Sequence, residues 1–200
     1  LKEKPVTWSG SIRPSLNNQE VYPKTEGGSI GIRVGVGGSP ESVMRAARLG
    51  IPLALAIIGG DPARFAPFSK LYRMALAEQG KPELPVSIHS PGHIAETDEQ
   101  AIEEMWPCYL ESFGRIGRER GWGETSKDHF VSEVRYGSMY VGSPETVAAK
   151  ITHALTSVSA SRFDLKYANG TMPHSKLMNT IRLYAEEVAP RVRAAVEKES

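Results

Sequence analysis

Two patterns of apolar and polar positions alternate along the chain, and the switch between them predicts its secondary structure. Within residues 29–62, a β-branched apolar run at 30–36 ends in a double glycine, and Ser-Pro-Glu then opens a helical pattern. A second apolar run follows and ends in Gly59-Gly60. Because the turns that follow strands in parallel α/β folds face the ligand, we expect both glycine pairs on one rim of a sheet.

The same alternation continues along the rest of the chain. Strands are predicted at 30–36, 52–58, 84–95 and 162–167, and each is followed by apolar residues at helical spacing. Four strand-then-helix units in series predict a parallel sheet, because each parallel crossover needs a helix. The predicted fold class is therefore α/β, and four such units are half the number in an eight-unit barrel. We expect these βα units to occupy residues 30–193 of a single domain.

Three regions depart from this pattern. Residues 1–29 are rich in Pro, Gly and Asn and predict an extended, hairpin-like surface segment. Residues 114–139 are polar and rich in Gly, which predicts a long insertion made of loop with short helical pieces. Pro107 lies inside a helical pattern that opens at Thr97, so we expect a kink or a break there. The chain opens at Leu1 without Met, and we expect it to be a fragment.

Composition and charge narrow the function classes. The 200 residues are 40% hydrophobic and carry a formal charge of +1 with well-mixed signs, which argues against a nucleic-acid or membrane-surface protein. No apolar run approaches the roughly 20 residues that span a bilayer. The single cysteine, Cys108, excludes a disulfide framework and fits a reducing compartment. We therefore expect a cytoplasmic protein whose partners are small molecules, with no membrane and no nucleic acid.

Five pieces of the sequence form an ordered set: VGVGGSPESVMRAARLGIPLALAIIGGDPARFAPF, HIAETDEQA, VGSPETVAAKI, SRFDL and LYAEEVAPRVR. In this order the set resembles the C-terminal half of the bacterial-luciferase-like flavin monooxygenases. The resemblance implies a (β/α)8 TIM barrel that binds reduced FMN, or in some members coenzyme F420, at its C-terminal rim. The family's first four strands, with the active-site residues that they usually supply, are absent here. The fold class expected is therefore the C-terminal half of a luciferase-like barrel.

The two glycine turns are the candidate cofactor site. At Gly37, Gly38 and Ser39, backbone N–H groups, a helix N-terminus and a hydroxyl suit the phosphate of the cofactor, and an ordinary helix cap is the alternative. Gly59 and Gly60 end a buried strand and can bring the backbone close to a phosphate or to the flavin ring, or simply make room for a turn. The near-duplicate sequence at Gly142-Ser143 shows that this short motif alone does not identify a cofactor site.

Three histidines are candidates for the substrate side. His89 and His93 lie four residues apart on a predicted strand, so we expect both on one face, lining a substrate pocket near the rim. Paired histidines can mark a metal site, but no third ligand stands at a supporting spacing, so no metal is predicted. His174 lies between the last strand and the last helix. In a (β/α)8 barrel, such a connection belongs to the rim that carries the active site. There it is a candidate catalytic acid or base, and a plain surface position is the alternative.

The function expected from the resemblance is an FMN-dependent oxidoreductase or monooxygenase that acts on a small organic substrate. A flavin reductase or another supply of reduced cofactor is then an expected partner, and we expect this chain alone to be inactive. The alternative is a non-catalytic flavin-binding or structural protein on the same scaffold. In either case open sheet edges favour a homo-oligomer or association with the missing N-terminal half. A third reading replaces the flavin with a phosphorylated metabolite.

Overall fold

The structure is a computed structural model that describes residues 4–28, 30–121 and 123–199. Ser29, the first residue of the glycine-rich stretch singled out in the sequence, lies outside the described residues. The chain separates into two compact units, residues 1–33 and residues 34–200. The glycine turns and the three candidate histidines all belong to the second unit.

The first unit contains a short antiparallel hairpin. Its strands are β1 (Val6–Trp8) and β2 (Leu16–Gln19), and a single 3₁₀ turn follows at Glu26–Gly28. The Asn and Pro residues between its short apolar runs predict such a hairpin. Residues 30–33, which the apolar run assigned to the first barrel strand, are not part of a strand.

The second unit is built on a parallel sheet of five strands. Within the described residues, the strands are β3 (Val34–Val36), β4 (Leu53–Ala56), β5 (Val86–Ile94), β6 (Tyr140–Gly142) and β7 (Arg162–Lys166). Consecutive pairs β3–β4 and β4–β5 are parallel, and β5 then pairs with two further strands. In β5, residues Ser87–Pro91 pair with β7, and the last residues, Gly92–Ile94, pair with β6.

Helices connect these strands, as parallel pairing requires. Most begin at a residue whose side chain caps the first turn, such as Ser39, Thr97, Ser126 and Ser143. The α-helices are α1 (Pro40–Leu49), α2 (Ala66–Glu78), α3 (Asp98–Arg120), α4 (Lys127–Tyr136), α5 (Pro144–Val158), α6 (His174–Leu183) and α7 (Ala189–Glu199). A 3₁₀ turn at Pro62–Phe65 precedes α2, and a π turn at Tyr184–Val188 joins α6 to α7.

The apolar residues form two buried clusters. The larger one packs the strands against α1, α2, α5 and the α6–α7 pair, with residues such as Leu55, Ile88 and Ile151. The smaller one joins α3, α4 and β6 through Met105, Phe130 and Met139 among others. A sheet covered in this way explains the near-continuous apolar run of β4 and its extension to Ile57.

The α/β class and the four predicted strands are confirmed, with two corrections. The fifth strand, β6, was missed because three residues are too few to show a strand period. The region 114–139 is not a loop with short helical pieces: α3 continues through Pro107 to Arg120, and α4 follows. The expected break at Pro107 is absent because buried side chains on both sides of it hold the helix in place.

Candidate functional site

The turn between β3 and α1 has an open, glycine-shaped geometry. Gly38 has φ +116°, a conformation that favours glycine, and a Cβ placed on it would meet only the Phe68 ring at 4.0 Å. A Cβ on Gly37 would meet nothing within 4 Å. Ser39 caps α1, where its hydroxyl accepts a hydrogen bond from the Ser42 N–H at 3.3 Å. Next to both glycines, the space that a Cβ would occupy is therefore open.

The N–H groups of the same turn are available to a ligand. Among the described residues, no protein group accepts a hydrogen bond from the backbone N–H of Gly37, Gly38 or Ser39. These groups lie at the N-terminus of a ten-residue helix, where the helix dipole adds partial positive charge. The Ser39 hydroxyl donates to the exposed carboxylate of Glu41 at 2.8 Å, and this bond lowers the pKa of Glu41. The arrangement suits an anion.

The Gly59-Gly60 turn differs, because a carboxylate of the protein already binds its N–H. The Gly60 N–H lies 3.0 Å from Oε2 and 3.3 Å from Oε1 of Glu133 in α4. Oε2 of Glu133 also accepts from the Ser138 N–H at 3.4 Å. At Gly60, the N–H that was predicted to face a phosphate therefore binds a carboxylate of the protein itself. A Cβ on Gly59 would still meet nothing within 4 Å.

A carboxylate also fills the near-duplicate turn at Gly142-Ser143. Oδ1 of Asp98 accepts from the Ser143 N–H at 2.6 Å, and Oδ2 accepts from the Thr146 hydroxyl at 2.9 Å. Partial burial works to raise the pKa of Asp98, but the hydrogen bonds from Ser143 and Thr146 outweigh it and lower that pKa. Among the described residues, no carboxylate of another element binds the N–H groups of the turn between β3 and α1, in contrast to the other two glycine turns.

His93 lies inside a hydrogen-bonded network. Its side chain is 1% exposed, with Nδ1 2.9 Å from the Thr180 hydroxyl and Nε2 2.8 Å from Oε2 of Glu104. Burial lowers the pKa of His93, and Glu104 opposes that shift. Glu104 also pairs with Lys176 at 3.4 Å, so the network joins β5, α3 and α6. Both ring nitrogens are engaged, and in this structure His93 lies in the network and not in an open pocket.

The other two histidines remain candidates. His89 is half-buried in the middle of β5, aligned with Ala56 of β4 and with Asp164 of β7. His174 is exposed at the first position of α6. In the described part of the chain, neither imidazole forms a hydrogen bond with another predicted site residue, and no three His, Cys, Asp or Glu side chains are grouped to hold a metal.

Sequence reasoning missed a half-buried lysine whose charge interacts with that of Glu133. The Lys150 ammonium donates to the backbone carbonyls of Val134 and Met139, the latter at 2.8 Å, and lies 5.3 Å from the centre of the Tyr140 ring. Burial lowers the pKa of Lys150 to about 8, while Glu133 opposes the shift. The sequence could have indicated this lysine, because Lys150 lies among apolar residues at helical spacing in α5.

Replacing Lys150 with Met should flatten the pH dependence of stability above about pH 8. The folded-state pKa is about 8 and the ordinary value is 10.5, so the unfolded chain binds more protons between these limits. Stability of the native protein should therefore rise with pH in this window, by at most about 1.4 kcal/mol per pH unit.

Urea unfolding at several pH values between about 7.5 and 9.5 measures this slope. Lys70→Met, at an exposed position of α2, is the matched control and should keep the slope of the native chain. Equal slopes for the native chain and the Lys150→Met variant would show that burial of Lys150 has no such effect.

Comparison with known proteins gives one family match. A family model described as luciferase-like monooxygenase matches residues 1–162. No curated protein matches the chain. No helix among the described residues is both long and apolar enough to cross a membrane.

Solved structures share the fold at low sequence identity. A monooxygenase from Streptomyces bottropensis, RslO1, aligns with TM-score 0.69 and 21% identity, over 94% of this chain and 56% of its own. The FMN complex of the oxygenating constituent of 3,6-diketocamphane monooxygenase from Pseudomonas putida gives 0.64 and 16%, over 94% and 58%. An F420-dependent secondary alcohol dehydrogenase with an F420-acetone adduct gives 0.58 and 16%, over 96% and 57%.

The chain spans little more than half the length of these structures. The alignments confirm the predicted fold class, one half of a luciferase-like (β/α)8 barrel.

Proposed function

Because this chain belongs to the luciferase-like monooxygenase family, we propose that it provides the phosphate-binding part of a flavin-dependent oxidoreductase that acts on a small organic substrate. When bound, the flavin supplies the redox chemistry, while the protein binds it, orients it and limits its contact with water. Among the residues of this chain, Gly37, Gly38 and Ser39 would hold the phosphate.

One observation carries this proposal: of the three glycine turns compared above, the protein fills two with its own carboxylates and leaves the third open. The open turn combines a hydroxyl, the N-terminus of α1 and three N–H groups that have no acceptor among the described residues. A phosphate there would replace the exposed Glu41 carboxylate as the partner of the Ser39 hydroxyl. Such a site binds an anion without any Lys or Arg.

FMN is the proposed cofactor and F420 the alternative. The 3,6-diketocamphane monooxygenase structure is a complex with FMN, and the alcohol dehydrogenase structure contains an F420-acetone adduct. A flavin reductase, or another source of reduced cofactor, is then the proposed partner. We keep His174 as the proposed acid or base and His89 as the proposed pocket residue.

Ser39→Asp should weaken FMN binding and leave riboflavin binding unchanged. Aspartate is as good a helix cap as serine, so the fold should be kept, while its charge repels the phosphate that riboflavin lacks. We expect the Kd for FMN, measured by quenching of flavin fluorescence, to rise at least about tenfold.

Ser126→Asp is the matched control, because Ser126 caps α4 in the same way through the His129 N–H. Its affinity for FMN should equal that of the native chain. An unchanged FMN affinity in Ser39→Asp would remove the phosphate assignment.

The alternative is a non-catalytic flavin-binding protein on the same scaffold. Consumption of reduced FMN in air by this chain together with the N-terminal half of a barrel separates the two functions: turnover supports the enzyme, and bound flavin without turnover supports the binder. We expect this chain alone to bind flavin without turnover. If a phosphorylated metabolite is the true ligand, it should compete with FMN, whereas riboflavin should not.

The sheet of the second unit supports association with another barrel half. Among the described residues, β3 and β7 each pair along one edge only. Next to β7, α5, α6 and α7 line a cavity of about 740 Å³ with mainly apolar side chains, including Phe163, Leu165, Tyr184 and Val192. A homo-oligomer, or the N-terminal half of a barrel, is the proposed partner, and light scattering after gel filtration tests the first. The proposed location is the cytoplasm, supported by the unpaired Cys108.

A further inference from the structure

Glu133 connects two parts of the second unit that are far apart in sequence. Its carboxylate accepts from the Gly60 N–H in the turn that follows β4, 73 residues away, and from the Ser138 N–H in the connection between α4 and β6. One side chain therefore holds the Gly59-Gly60 turn and the end of the 114–139 region together.

Gly137 makes the room that this contact needs. A Cβ on Gly137 would lie 2.2 Å from Oε2 and 2.6 Å from Cδ of Glu133. Gly137 has φ −108°, which any residue can adopt, so its backbone conformation does not require glycine. The absence of a side chain at Gly137 thus serves the position of the Glu133 side chain, which folds back across it.

Lys150 fixes the same connection from the opposite direction. It donates to the carbonyls of Val134 and Met139, which flank the connection. Its positive charge is also attracted by the negative charge of Glu133. The segment from Glu133 to Met139 is therefore held both by a carboxylate that accepts from the Ser138 N–H and by an ammonium that donates to two carbonyls. Such doubly held segments keep a defined geometry.

The Gly59-Gly60 turn lies beside the proposed phosphate turn. β3 and β4 are adjacent and parallel, with Val36 aligned to Leu55, so the turns that follow them emerge at the same edge of the sheet. We infer that Glu133 is a positioning residue for the flavin site, which sets the Gly59-Gly60 turn next to the phosphate turn, and that Gly137 is required for it to do so. This inference rests on the proposed function.

Three variants test it in the full chain. Gly137→Ala moves the carboxylate without removing it, and Glu133→Ala removes it. Phe130→Leu weakens the packing of the same helix in the buried cluster without touching the contact. Gly123→Ala is the control for the Gly137 change, because a Cβ there meets nothing within 4 Å.

Hydrogen exchange of the Gly60 and Ser138 amides, FMN affinity and melting temperature are measured for each variant. We expect Gly137→Ala and Glu133→Ala to speed exchange of both amides at least about tenfold and to weaken FMN binding by a similar factor. Phe130→Leu should lower the melting temperature and leave the two amides and the FMN affinity close to native. Gly123→Ala should change none of the three measurements.

Two results would overturn the inference. Unchanged exchange of the Gly60 amide in both test variants would show that Glu133 does not hold the turn. Faster exchange with an FMN affinity no weaker than that of Phe130→Leu would reduce Glu133 to a purely structural residue. If the native chain binds no FMN, the proposed function and the positioning role fail together, and the exchange data still decide whether Glu133 holds the turn.

Discussion

Replacing Gly92 with Ala should lower the free energy of unfolding by about 3 kcal/mol, a large share of the stability of a typical domain. A Cβ at this position would lie 2.3 Å from the backbone oxygen of Tyr140 and 2.6 Å from Cδ1 of Leu165. The carbonyl oxygen belongs to the paired strand β6 and cannot rotate away, so β5 and β6 must separate. The Gly92 carbonyl also accepts from the Asn169 amide at 2.8 Å, which limits relaxation of β5.

Urea unfolding followed by circular dichroism measures the loss. Gly35→Ala in β3 is the matched control, because a Cβ there meets nothing within 4 Å and its φ is not positive. We expect that variant to be as stable as the native chain or slightly more stable, since alanine loses less backbone entropy than glycine. Equal stabilities for Gly92→Ala and Gly35→Ala would contradict the close approach of β5 and β6.

Thr180→Val should cost about 3 kcal/mol although the two side chains have the same shape. The Thr180 hydroxyl accepts from the Ile94 N–H at 3.2 Å, donates to the Ile94 carbonyl at 3.1 Å and lies 2.9 Å from Nδ1 of His93. β7 pairs with β5 only as far as Pro91. The N–H and the carbonyl of Ile94 lie beyond that pairing, and the Thr180 hydroxyl is their partner instead. Valine would leave these buried groups unpaired.

Thermal and urea unfolding measure this effect. Thr152→Val is the matched control, because within the described ranges the Thr152 hydroxyl bonds to the carbonyl of Ala148, one helical turn away, and to no other group. Its stability should stay within about 0.5 kcal/mol of the native value. If Thr180→Val is equally mild, the buried hydroxyl does not have the role that the contacts indicate.

The fold could be predicted because its determinants are local in sequence. The apolar runs of β4 and β5 and the Ser-Pro-Glu start of α1 are each visible within about ten residues. The errors have physical reasons of the same kind. β6 is too short to show a period, and the helical pattern of α3 is interrupted by Pro107 although its packing is not.

The site could be predicted only in part, because its chemistry depends on residues distant in sequence. The glycines and the cap at Ser39 were visible, but nothing near Gly60 predicts that Glu133 binds its N–H. Asp98 lies 45 residues from Ser143 in the sequence and binds its N–H. This contact likewise distinguishes the Gly142-Ser143 turn from the Gly38-Ser39 turn, although the two have almost the same local sequence. The spacing of His89 and His93 predicted a shared face, and it could not reveal that Glu104 and Thr180 engage both nitrogens of His93.

The carboxylates in two of the glycine turns also have a consequence for selectivity inside a cell. A ligand attached to the same chain competes as an intramolecular group, with an effective concentration that is commonly millimolar or higher. Asp98 and Glu133 should therefore exclude dissolved phosphate and carboxylate metabolites from the Ser143 and Gly60 N–H groups. Of these three turns, the one at Gly37 to Ser39 is left for free anions, because the carboxylate that contacts it among the described residues is on the exposed side chain of Glu41.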